Sequence, residues 1–193
     1  MSPTRPAEGL FAHPRPVRTI ADLLANVWQL GYVTTDLDRA VEQLTDHFSL
    51  ERVIRVPSEG AQFFKADQPA PFEAKFAMGA RGGLVVELIE PVSGEVGFYR
   101  EALPDDGSFG VSLHHLAAFI PTGAQEWDRL CGILDSAGLR VDYTVLIPGR
   151  VRAGYVDTRA QLGHFIEVCQ LEQDDLDFFN DLTSDGVSRA SAA

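Results

Sequence analysis

Cysteine is scarce in this chain of 193 residues. Cys131 and Cys169 are the only two, each isolated in apolar surroundings. With no CxxC spacing and no disulfide framework, a stapled secreted fold is excluded and a reducing, cytoplasmic location is expected. No apolar run approaches the roughly 20 residues of a membrane helix, and no basic segment followed by an apolar stretch opens the chain. Neither a membrane partner nor a secretory signal is therefore expected. Positive charge is also short: 16 Lys and Arg stand against 28 Asp and Glu, a formal net charge of -12. That balance argues against nucleic acid as a partner. Part of the acidity is local, with Asp174, Asp175, Asp177 and Asp181 crowding one C-terminal stretch. No phosphate loop, nucleophile elbow or dinucleotide motif is present, and the glycines between Gly79 and Gly83 read as a hairpin turn.

What remains is an ordinary globular composition, 45% hydrophobic and 23% charged, enough for one domain or two small fused modules. Residues 1–25 read as an N-terminal arm, proline-rich to about residue 18, with a short turn or edge segment at Ile20 to Leu24. Val27 to Thr34 reads as a strand. Thr35 or Asp36 caps a helix whose Leu37, Ala40, Val41, Leu44 and Phe48 form one stripe. Strands follow at Glu51 to Val56, Ala74 to Met78 and Leu84 to Ile89, the last ended by Pro91.

The order then repeats. Leu113 to Ile120 reads as a strand, and a helix from about Gly123 to Gly138 presents Trp127, Leu130, Cys131 and Leu134 on one face. Strands follow at Arg140 to Ile147, Arg152 to Asp157 and His164 to Leu171. The expectation is an α+β chain of two βαβββ modules, residues 26–91 and 113–172, forming a curved mixed sheet around a metal-binding cavity. A connector at 92–112 carries a helical turn or two near Phe98 to Leu103. A tail at 173–193 is expected to be disordered from Thr183.

The repeat places polar residues in matching positions. Gln29 and His115 open the two first strands, and Glu87 and Glu167 sit inside the two last ones. Glu87 shares a strand face with Val85 and Ile89, and Glu167 with Phe165 and Cys169. A buried carboxylate without a partner costs several kcal/mol or neutralises itself, and two on one concave surface repel unless a proton or cation lies between them. One imidazole, one amide oxygen and two carboxylates suit one divalent ion: zinc, nickel, cobalt, manganese or iron(II). The competing reading puts both glutamates on solvated faces of half-buried strands. Strand alternation points His114 away from His115, so only His115 is counted as a ligand. His164 alternates away from Glu167, and His13 and His47 lie in the arm and the first helix. Tyr32, Phe76, Phe119, Tyr143 and Tyr155 are candidates for the cavity lining, against ordinary core packing. Arg150 and Arg152 flank a Pro148-Gly149 turn, and Arg152 is the candidate to hold an anionic substrate group, against a solvated role.

The segments Gln29-Leu30-Gly31-Tyr32-Val33-Thr34-Thr35-Asp36-Leu37, Leu113-His114-His115-Leu116-Ala117 and Leu162-Gly163-His164-Phe165-Ile166-Glu167 resemble the vicinal oxygen chelate superfamily. Its members include glyoxalase I, methylmalonyl-CoA epimerase, extradiol dioxygenases and bleomycin-resistance proteins. The resemblance covers about Val27 to Leu171 and implies Gln29, Glu87, His115 and Glu167 as metal ligands. It further implies Glu167 as the general base, with Glu87 beside it at the catalytic centre, moving a proton next to a carbonyl through a metal-stabilised enolate. The implied function is a metal-dependent isomerase, epimerase or lyase acting on a small carbonyl substrate as a homodimer. Val33, Pro91 and Val111 stand where glyoxalase I has the arginines and asparagine that hold glutathione, so a glutathione adduct is not the expected substrate. Ring cleavage needs two histidines and one carboxylate on iron, which Gln29 denies. The alternative is a bleomycin-resistance type of protein that sequesters a small molecule without catalysis.

Overall fold

The computed structural model describes residues 14–188 apart from Glu59 and Gly82. A short helix α1 (Ile20–Leu24) leads into β1 (Val27–Thr34). Asp36 then caps α2 (Leu37–Phe48) by accepting the Arg39 backbone N–H. The first module continues through β2 (Glu51–Val56), a hairpin of β3 (Gln62–Lys65) and β4 (Gln68–Pro69), β5 (Phe72–Arg81) and β6 (Leu84–Gly94). One turn of helix, α3 (Gly97–Arg100), lies in the connector. The second module is β7 (Val111–Phe119), α4 (Ala124–Ser136), β8 (Val141–Ile147), β9 (Val151–Val156), the short α5 (Arg159–Leu162) and β10 (Phe165–Leu171), followed by α6 (Gln173–Ser188).

All ten strands form one sheet in the order β2-β5-β6-β1-β7-β10-β9-β8-β3-β4. Each module pairs its first and last strands in parallel, β1 with β6 and β7 with β10, and the modules join antiparallel along β1 and β7. The expected α+β architecture of two βαβββ modules is present, and the two modules pair within one chain. The sheet is curved. Ala80 on the second strand in order and Ala153 on the seventh share one buried cluster, which a flat sheet would hold far apart. One face is covered by helices: Leu37 and Ala40 of α2 pack on Ala77 and Leu88, and Trp127, Leu130 and Leu134 of α4 pack on Ala118, Ile166 and Val168. The inner face carries the other set of alternating residues.

The inner face is closed at both ends. At one end α6 lays Phe179 and Leu182 against Trp28, Phe119 and Leu171, and Phe179 meets the Trp28 ring edge-on at 4.7 Å. Ion pairs hold α6 to both rims of the curve, Arg52 to Asp181 at 2.8 Å and Arg150 to Asp175 at 2.5 Å. At the other end β3 leaves the first module and pairs with β8 of the second. There Phe63 stacks on Phe72 at 4.4 Å, and Phe98 of α3 stacks on Tyr143 at 4.1 Å.

Three expectations are corrected. Pro91 does not end β6, which runs to Gly94, because a register shift beside Ala74 places the missing N–H at an irregular point of the ladder. Thr183 is buried within α6 rather than in a disordered tail, its hydroxyl donating to the Phe179 carbonyl. The β3–β4 hairpin was not foreseen at all. Most of the N-terminal arm, His13 included, and the last five residues lie outside the described residues. Among those described, no helix is long and apolar enough to cross a membrane.

Candidate metal centre

Four adjacent central strands, β6, β1, β7 and β10, carry Glu87, Gln29, His115 and Glu167 in that order. The register brings them together: Gly31 lies beside both Glu87 and His115, and His115 lies beside Phe165, two residues from Glu167. Gly31 matters because the His115 ring lies directly over it, where an added Cβ would stand 1.9 Å from His115 Cε1. All four side chains are buried, so neither glutamate lies on a solvated face.

Ligating atoms of Glu87, His115 and Glu167 all lie within 4.8 Å of one another. His115 Nε2 stands 3.4 Å from Glu87 Oε2 and 3.3 Å from Glu167 Oε2, too long for good hydrogen bonds, and it has no other partner. Gln29 donates through Nε2 to Glu87 at 3.1 Å, while its Oε1 is buried without a partner. Burial raises Glu87 above the usual carboxylate range. Burial would raise Glu167 too, but the His115 charge beside it holds it below that range. His115, despite burial, is lifted by the two carboxylates to about 9. Two carboxylates around one imidazolium leave a negative charge unbalanced in a dry interior. A divalent cation in place of the imidazolium proton would neutralise the trio. It would also give the orphaned His115 Nε2 and Gln29 Oε1 a partner, so the residues fit such an ion.

The expectation for His114 is corrected. The β1–β7 register slips between Gly31 and Tyr32, which pair with His115 and Leu113, so His114 is the extra residue of a bulge. The bulge turns His114 off the regular alternation. Its Nδ1 lies 3.1 Å from His115 Nδ1 and its Nε2 3.2 Å from the Phe98 carbonyl. Its ring stacks on Phe165 at 4.7 Å. Burial, and then the His115 charge, lower it to about 3. No periodicity rule reveals such a bulge in advance.

Of the remaining candidates, Tyr155 stands opposite Glu167 on β9 and accepts the Tyr99 hydroxyl at 2.8 Å. Burial and then the nearby carboxylates push both phenols well above their ordinary value. Tyr143 and Phe76 pack against the cluster that holds Tyr155, Phe98 and Phe165, and Phe119 lies in the cluster under α6. Tyr32 and Arg152 are not brought to the site. Tyr32 packs with α2 on the outer face, and the Arg152 guanidinium lies 3.9 Å over the Trp127 ring of α4, since β9 turns alternate residues outward. Arg150 binds α6, His164 hydrogen-bonds the Phe165 carbonyl, and His47 is exposed on α2. Tyr99, in the connector, had no strand position to mark it.

No family model and no curated protein matches the chain. Solved structures do match by fold. Methylmalonyl-CoA epimerase from Mycobacterium tuberculosis superposes with a TM-score of 0.50 at 16% identity, covering 82% of this chain and 93% of its own. A hypothetical protein from Bacillus halodurans gives 0.51 at 17% identity, with 76% and 95% covered. A single-site variant of Streptomyces coelicolor methylmalonyl-CoA epimerase, in complex with 2-nitronate-propionyl-CoA, gives 0.50 at 18% identity, with 77% and 95% covered. At these identities the likeness is one of fold, an α+β chain with a mixed sheet.

Proposed function

We propose that the chain is a metal-dependent isomerase or epimerase that moves a proton at a carbon next to a carbonyl. The observation that carries this reading is the buried trio of Glu87, His115 and Glu167 with Gln29 Oε1 and His115 Nε2 left without partners. Glu87, His115, Glu167 and Gln29 would hold the ion. Once bound, a divalent ion supplies Lewis acidity that makes the C–H beside a carbonyl easier to ionise. Glu167 is the base. It is kept as a carboxylate at neutral pH, chiefly by the His115 charge beside it. Glu87 is oriented by the Gln29 amide and stays in the frame. The aromatic cluster of Phe63, Phe98, Tyr143 and Phe165 excludes water and favours a carbonyl compound with an apolar flank over a glutathione adduct. The fold shared with methylmalonyl-CoA epimerases supports epimerisation over lyase chemistry.

The test is metal content by mass spectrometry on protein purified without a histidine tag, beside a Glu87→Ala/Glu167→Ala double variant. About one divalent ion per chain, lost in the variant, is the expected result. No ion in either, even after adding zinc, nickel, cobalt and manganese, overturns the reading. Stoichiometric binding of a small carbonyl compound by that metal-free protein, with no product formed, would make it a sequestering protein instead.

A further inference from the structure

His114 is buried, carries an ionisable ring and plays no part in the reaction described above. From its two contacts we infer that His114 is a positioning residue: it passes the preference of the Phe98 carbonyl to His115 and so fixes which His115 nitrogen faces the ion. This rests on the metal reading of the same site.

The argument is a count of donors. The Phe98 carbonyl can only accept, so the 3.2 Å contact requires a hydrogen on His114 Nε2. A neutral imidazole has a single N–H, so His114 Nδ1 is left as an acceptor. The hydrogen in the 3.1 Å contact between the two Nδ1 atoms must then belong to His115. With His115 Nδ1 donating, its Nε2 is the nitrogen that faces Glu87 and Glu167 and gives up the imidazolium proton to become the ligand. The opposite arrangement sets the His114 Nε2 lone pair against the Phe98 carbonyl lone pairs. It also puts the His115 hydrogen where the ion would sit. A ligating histidine usually donates its second N–H straight to a carbonyl, carboxylate or water; here a second imidazole stands between.

The surroundings hold the relay still. Phe165 stacks on the His114 ring, Tyr99 lies 4.7 Å from it, and Phe98 meets it edge-on at 5.5 Å. The bulge supplies the backbone that lets two consecutive histidines meet nitrogen to nitrogen. Phe98 belongs to α3, between the two modules, so the connector has a defined hold on the site.

Two measurements test the inference. Long-range proton–nitrogen spectra of histidine-labelled metal-free protein read each tautomer directly, with His114 expected neutral and protonated on Nε2. Cobalt and zinc titrations then compare wild type with His114→Phe, which keeps the stacking, and His114→Asn, whose Oδ1 can accept in place of Nδ1. The relay predicts that His114→Phe weakens metal binding by about 10–100-fold and that His114→Asn recovers most of it. Thermal stability should run the other way, with the asparagine variant the less stable. A His114 ring protonated on Nδ1, or a phenylalanine variant binding as wild type does, overturns the inference. So does affinity that simply follows stability. If wild type binds neither metal, the metal reading fails, and the tautomer spectrum alone decides the relay.

Discussion

Gly31→Ala is the sharpest perturbation the site offers. The added Cβ would sit 1.9 Å from His115 Cε1 and 2.1 Å from Nε2. Carbon contacts settle near 3.5 Å, so the ring must retreat by about 1.5 Å. That movement exceeds the tolerance of a coordinated nitrogen, because misplacement by about 1 Å already costs on the order of 100-fold in a preorganised site. Metal affinity should therefore fall by about 100-fold or more. The overpacking itself should cost only about 1–3 kcal/mol of stability, so the protein still folds. Gly79→Ala is the matched control. Its Cβ would meet Leu50 Cγ at 2.7 Å, away from the trio, and should give a similar loss of stability with unchanged affinity. Titration with cobalt, followed by its visible absorption, and thermal melts on both variants supply the comparison. A folded Gly31→Ala protein that binds metal as tightly as wild type would refute the placement of His115 as a ligand.

Three further outcomes are expected. For metal-free protein, His114 drops from 6.5 to about 3 and His115 rises from 6.5 to about 9. Below 6.5 the unfolded chain takes up the proton that folded His114 refuses, and above 6.5 folded His115 keeps one that the unfolded chain releases. Stability contributed by these two groups should thus peak near pH 6.5 in melts across pH 4–9. A flat profile over that range would contradict both shifts. Tyr155→Phe should cost about 1–3 kcal/mol, because it strands the buried Tyr99 hydroxyl, whereas the Tyr99→Phe/Tyr155→Phe double variant should cost less than the sum of its parts. Denaturant curves for the three variants check this. Phe179→Ala should cost about 3–5 kcal/mol and shift Trp28 emission to the red, while Arg150→Met should cost about 1–3 kcal/mol, because it leaves the buried Asp175 carboxylate without its cation.

Period-2 and period-3.6 patterning was enough to find nearly every strand and both long outer helices, because each has one buried face. The trio was legible for a different reason: a duplicated unit repeats its polar exceptions, and Glu87 and Glu167 broke apolar runs at matching points. What escaped depends on geometry that letters do not carry. The His114 bulge is a register slip between positions 81 and 84 residues apart in sequence, and β3 and β4 are too short and too mixed to show periodicity. Tyr32 was assigned to the cavity from strand membership, and Arg152 to a substrate anion from its place beside the Pro148-Gly149 turn, when alternation turns both toward the helices. The stripe of Leu176, Phe179 and Leu182 in α6 was hidden by acidic neighbours.

The hairpin of β3 and β4 also sets a timetable for synthesis. Its partner strand β8 lies about 80 residues further along, with Phe63 opposite Val145. At about 5–20 residues per second, the hairpin leaves the ribosome some 4–16 s before that partner exists. During this interval the first module can assemble its other strands but not the aromatic stack of Phe63 and Phe72 on Phe98 and Tyr143. The site, which takes two residues from each module, can close only after the second module has docked. Nascent chains halted before residue 141 should therefore expose apolar surface that chaperones hold, and release should follow completion of β8.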